Sequence, residues 1–121
     1  MLKRILVLDD NQDILDIIKE ALLYEKFEVK ITSESANIME VIDSYKPDLI
    51  MLDYKLNGPN GDDICRQIKT HPRFYDIPVI ICSAYLNNNN MPICGCDAII
   101  AKPFGLEELI EKVTALVEMR D

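Results

Sequence analysis

Apolar residues fall in two rhythms along this chain. Four short runs, Ile5-Leu6-Val7-Leu8, Leu49-Ile50-Met51-Leu52, Val79-Ile80-Ile81-Cys82 and Ala98-Ile99-Ile100-Ala101, are continuous and each gives way to polar residues. Continuous runs of this length predict strands buried on both faces, as in a parallel sheet. Between them the spacing turns helical. Leu15, Ile18 and Leu22, widened by Ile14, Ile17 and Ala21, predict an amphipathic helix over about 11–24. A second strand is expected at Phe27–Thr32, a helix from Glu34 to about Tyr45, and another through Ile64, Cys65 and Ile68. Leu106, Leu109, Ile110, Val113, Leu116 and Val117 form the clearest stripe. Glu107 and Glu108 stand in its first turn and Lys112 and Arg120 towards its end, complementing the helix dipole. Pro47 is expected to push Lys46 into an extended conformation, and Pro78 to open a strand.

Strand and helix alternate, which predicts an α/β doubly wound fold with right-handed crossovers. In such a sheet the carboxyl ends of parallel strands share one edge, where ligands bind. That edge collects Asp9 and Asp10 after the first run, Asp53 after Leu52, Ser83 after Cys82, and Lys102-Pro103 after Ala101. Taken singly, either early Asp is explained as a helix N-cap, Asp53 as a turn start, Ser83 as a cap, and Lys102 as a solvated charge. At four strand ends of one edge, three carboxylates, a hydroxyl and an ammonium instead point to a shared pocket.

With 121 residues the chain is expected to form one domain, 1–121, large enough to bury a core unaided. No apolar stretch approaches the roughly 20 residues of a membrane span, so no membrane insertion and a cytoplasmic location are expected. A net charge of −8 opposes direct nucleic acid binding. Cys94-Gly95-Cys96 lacks a second paired cluster, and His71 is remote in sequence. Plain reduced thiols are therefore expected at Cys65, Cys82, Cys94 and Cys96, and a solvated loop histidine at His71.

The ordered set Asp9-Asp10, Asp53, Ser83 and Lys102-Pro103 resembles the receiver domain of two-component response regulators, over essentially the whole chain. The resemblance implies a (βα)5 flavodoxin-like fold with a five-stranded parallel sheet in the order 2-1-3-4-5, an order taken from the family. It implies Mg²⁺ bound by Asp10 and Asp53, by Asp9 through water, and by the Lys55 backbone carbonyl. It makes Asp53 the phosphoacceptor, with Ser83 and Lys102 contacting the phosphoryl group. Such chemistry suits these residue types. A carboxylate can attack phosphorus to give an aspartyl phosphate, and phosphoryl transfer asks mainly for positioning and charge.

Two positions depart from the family pattern. Ile99 stands where receivers usually carry an aromatic switch residue, three before the Lys. Leu86-Asn87-Asn88-Asn89-Asn90-Met91-Pro92 opposes helix formation, so the fourth helix is expected to be shortened or irregular. Ordering of Tyr85–Gly95 on phosphorylation is the expected substitute switch. The reading is thus a phosphoacceptor response regulator, not an enzyme beyond its own phosphorylation and dephosphorylation. Its partners are a sensor histidine kinase or histidine phosphotransfer protein and a downstream protein target. The alternative is a receiver-like interaction module independent of phosphorylation. A haloacid-dehalogenase-type phosphatase would need an Asp-x-Asp pattern after the first strand. In a flavodoxin-type carrier, Asp9, Asp10 and Asp13 would repel the flavin phosphate.

Overall fold

The computed structural model describes residues 2–56, 58–84 and 94–120. Its strands are β1 (Arg4–Leu8), β2 (Glu28–Thr32), β3 (Leu49–Asp53), β4 (Val79–Ser83) and β5 (Ala98–Ala101). Among the described residues there are four helices, α1 (Gln12–Tyr24), α2 (Ile38–Tyr45), α3 (Gly61–Lys69) and α4 (Leu106–Arg120). All strand pairs are parallel, in the order β2-β1-β3-β4-β5, as expected. The expected irregular fourth helix lies in 85–93, outside the described residues, and so does most of the Tyr85–Gly95 segment.

The continuous apolar runs are explained by two cores, one on each face of the sheet. Successive strand residues point to opposite faces. Leu6, Leu8, Ile50, Leu52, Val79 and Ile81 pack against Ile38, Ile42, Ile64 and Ile68 of α2 and α3. Ile5, Val7, Leu49, Met51, Ile80 and Ile100 face Leu15, Ile18 and Leu22 of α1 and Leu109, Val113 and Val117 of α4. Each such side chain contributes about 1.5–3 kcal/mol by leaving water. Truncating a central one, as in Leu52→Ala, should cost about 2–5 kcal/mol. Among the described residues no helix is long and apolar enough to cross a membrane.

Three local expectations are corrected. Helix α2 starts at Ile38, four residues later than expected, because the Thr32 hydroxyl accepts the Glu34 N–H at 3.2 Å and holds the chain in a turn. Lys46 is left-handed (φ 56°), not extended, and its N–H closes α2 on the Ile42 carbonyl at 3.0 Å. Pro47 disfavours only the right-handed helical region, which leaves this C-cap open to Lys46. Ile17, placed in the buried stripe, is 52% exposed, while Leu15, Ile18 and Leu22 carry the packing. His71 lies in the loop after α3, where it stacks on Phe74 with ring centroids 4.0 Å apart and its Nδ1 accepts the Arg73 N–H at 3.1 Å.

Candidate functional site

The parallel register brings the strand ends level. Leu8 lies beside Leu52, Asp53 beside Cys82, and Ser83 beside Ala101. The residues that follow, or end, each strand therefore meet at one edge. Backbone bonds extend the pairing into the loops. The Asp9 N–H donates to Thr32 O at 3.2 Å, the Tyr54 N–H to Cys82 O at 2.8 Å, and the Lys102 N–H to Ser83 O at 2.8 Å.

Lys102 is the centre of the site. Its Nζ donates to Asp9 Oδ2 at 3.1 Å and to Asp53 Oδ1 at 3.0 Å. The three side chains are largely withdrawn from water, with 5% exposure at Asp9, 13% at Asp53 and 19% at Lys102. At such depth a charge pair is only weakly screened. Asp9 is fixed from its other oxygen as well, since Oδ1 accepts the Asn11 N–H at 2.9 Å. Asn11, not Asp9 or Asp10, caps α1, accepting the N–H groups of Asp13 and Ile14 at 2.9 and 3.2 Å. The two acids are thereby spared for the edge.

Burial raises the pKa of Asp53 above its ordinary value, Lys102 opposes that, and the negative charges of Asp9 and Asp10 add to it. For Lys102, burial favours the neutral form, but Asp53 and Asp9 outweigh it and leave the ammonium more basic than usual. The two shifts are consistent. One ammonium is shared by two acids in contact, so the cation is over-compensated and Asp53 under-compensated.

Asp53, Lys55, Ser83, Ala84 and Lys102 line a cleft of about 240 Å³, large enough for a small anion. Ser83 is buried in its wall. Asp10 is exposed, and its charge reaches Asp53 through space. Ile99 pairs with Ile81 in β5, is partly buried, and is not among the residues lining the cleft. Thus Asp9, Asp53 and Lys102 meet directly, and Lys55 and Ser83 line the cleft with Asp53 and Lys102.

Gly61 is a further residue of the site. It opens α3 with its backbone pressed on β3, its N–H donating to Tyr54 O at 2.7 Å, and any side chain there would overlap the Asp53 carbonyl. The density of turn formers over 54–61 was the available signal, but it does not say which glycine touches the acid.

The donor set fits Mg²⁺, a hard cation that prefers carboxylate and carbonyl oxygen and is commonly held by one or two carboxylates plus water. Asp9 and Asp53 share the Lys102 ammonium, and Asp10 adds its negative charge at Asp53, so a cation is drawn to this edge. Among the described residues, no three acidic, histidine or cysteine side chains form a ready-made metal cage. A site completed by water and phosphoryl oxygen does not need one.

The model of the response regulator receiver domain matches residues 5–114. The DNA-binding response regulator MtrA of Mycolicibacterium paratuberculosis is 28% identical over 124 residues, covering 100% of this chain and 54% of the relative. The chain thus spans about half the length of such curated relatives. Among solved structures, a CheY-like receiver domain protein from Methanospirillum hungatei is 28% identical, with a TM-score of 0.89 and coverage of 99% and 97% of the two chains. The response regulator TrrA of Thermotoga maritima, solved in complex with Mg²⁺ and BeF, is 29% identical, with a TM-score of 0.85 and coverage of 95% and 99%.

Proposed function

Because this chain belongs to the response regulator receiver domain family, whose members serve two-component signalling, we propose that it is the phosphoacceptor of a phosphorelay and that Asp53 is the residue modified. The contact that carries this reading is the Lys102 ammonium, held between Asp9 and Asp53 beside a small cleft walled by Ser83. A carboxylate oxygen of Asp53 attacks the phosphorus of a phosphohistidine on a sensor kinase or phosphotransfer protein. The P–N bond breaks, its electron pair leaves with the imidazole, and an aspartyl phosphate forms. Lys102 exchanges its Asp53 contact for a phosphoryl oxygen, and the Ser83 hydroxyl donates to another. A Mg²⁺ ion held by Asp10 and Asp53, by Asp9 through water and by the Lys55 carbonyl would supply countercharge to the phosphoryl oxygens.

The module acts on no external substrate and signals by binding a protein target in the cytoplasm. Its net charge of −8 gives it no attraction to nucleic acid. A DNA-binding role belongs to MtrA by name. Ile99 favours a second reading, an interaction module that works without phosphate, because an isoleucine has no ring to report the modification. Fluorine NMR with beryllofluoride and Mg²⁺ separates the two. A bound resonance in wild type that is lost in Asp53→Asn supports the phosphoacceptor, whereas no bound resonance in folded wild type favours the second reading.

A further inference from the structure

The proposed phosphoryl site uses none of the cysteines, and three of them meet elsewhere. Cys65 lies in α3, and Cys94 and Cys96 in the chain that enters β5. The Cys65 thiol donates to the Cys94 carbonyl at 3.6 Å. Cys94 and Cys96 both act electrostatically on the Cys65 thiol, and Cys94 acts on that of Cys96. All three sit in the same apolar cluster, with Cys65 and Cys94 buried and Cys96 partly exposed. Gly95 lets the chain turn between two of them. Its φ of +84° is one that a side chain would strain, and the stem of Lys69 packs against it. The Lys69 ammonium is anchored by Asp97 at 2.7 Å and by the Ile77 carbonyl at 2.8 Å, and its charge acts on the Cys65 thiol. Cys82 belongs to the core on the other face of the sheet.

We infer that Cys65, Cys94 and Cys96 form a redox modification site, at which a small disulfide oxidant such as oxidised glutathione closes a Cys65–Cys94 disulfide. Cys96 is the entry point because it is the partly exposed member. Its thiolate attacks one sulfur of the oxidant, giving a mixed disulfide and one released small thiol. Cys94 then attacks the Cys96 sulfur and expels the second small thiol. Cys65 attacks Cys94 in turn, which returns Cys96 to the thiol form. In total, two protein thiols lose two electrons and two protons, and the small disulfide gains them as two thiols. The final bridge joins two separate elements, whereas a Cys94–Cys96 bridge would close a tight ring through Gly95. It would tie α3 to the chain entering β5, the strand that carries Ile99 and leads to Lys102. Burial, with the neighbouring sulfurs, pushes the Cys96 thiol up to about 12, so the reaction is slow and runs over hours.

The test incubates the folded, reduced chain with millimolar oxidised glutathione, then alkylates free thiols and measures intact mass and non-reducing peptide maps. Wild type should lose two hydrogens and show one Cys65–Cys94 peptide, with Cys82 and Cys96 alkylated, all reversed by dithiothreitol. Cys94→Ser should stop at one glutathione on Cys96, and Cys96→Ser should form the bridge about tenfold more slowly. Four alkylatable thiols remaining in wild type would overturn the inference. So would a glutathione adduct that never resolves, a bridge to Cys82, or an unchanged rate in Cys96→Ser.

Discussion

Replacing Lys102 by methionine keeps most of the side chain's volume and removes the charge that Asp9 and Asp53 share. Because the three side chains are at most 19% exposed, little of the loss is screened by solvent. Breaking a buried pair by deleting one partner costs about 3–5 kcal/mol. Asp53 recovers part of this by taking up a proton, each unit of pKa being worth about 1.4 kcal/mol. A net loss of about 2–4 kcal/mol at pH 7 follows, against a total stability of about 5–15 kcal/mol for a domain of this kind. The melting temperature should fall by roughly 6–15 °C. Asp53→Asn alone should raise stability at pH 7. A carboxyl whose folded-state pKa is raised destabilises above that pKa and contributes nothing below its ordinary value of 3.8, so the gain should fade on acidification. Urea unfolding of the two variants and the double variant closes a cycle, and Lys102→Met should cost about 1–3 kcal/mol less in the Asp53→Asn background. Additivity within about 0.5 kcal/mol would refute a direct charge contact.

Mg²⁺ at ten times its dissociation constant should add about 1.4 kcal/mol to wild-type stability, and Asp53→Asn and Asp10→Asn should blunt the response in thermal melts. Gly61→Ala should destabilise by about 1–3 kcal/mol in urea titrations and slow phosphoryl uptake, since the new methyl group displaces the Asp53 backbone. Asn11→Ala should cost about 0.5–2 kcal/mol by uncapping α1. It should leave Mg²⁺ binding intact, because Asp9 bonds to the backbone N–H of that residue.

β1, β3, β4, β5 and the edge were legible because a parallel sheet covered on both faces writes itself as unbroken apolar runs, and each of these runs ends where the chemistry begins. The cluster of Asp9, Asp53 and Lys102 could be foreseen from those endings alone. The bridging of both acids by one ammonium was not, since it depends on side-chain reach across β1, β3 and β5. Lys46 was misjudged because the rule for residues before proline excludes one backbone region and leaves two. The late start of α2 depended on a Thr32 hydroxyl bond that competes with helix propensity. Cys65 joins Cys94 and Cys96 only through the packing of α3 on the chain entering β5, a contact 29 positions apart that no spacing motif encodes.

Phosphoryl transfer to Asp53 is tested most directly by incubating the chain with phosphoramidate, whose P–N bond matches that of phosphohistidine, and measuring intact mass with and without Mg²⁺. Wild type should gain one phosphoryl group in the presence of Mg²⁺ and lose it to hydroxylamine, as an acyl phosphate does. It should gain none without the metal, and Asp53→Asn none in either case. The same mass gain in Asp53→Asn, or no gain in folded wild type with Mg²⁺, would contradict the account.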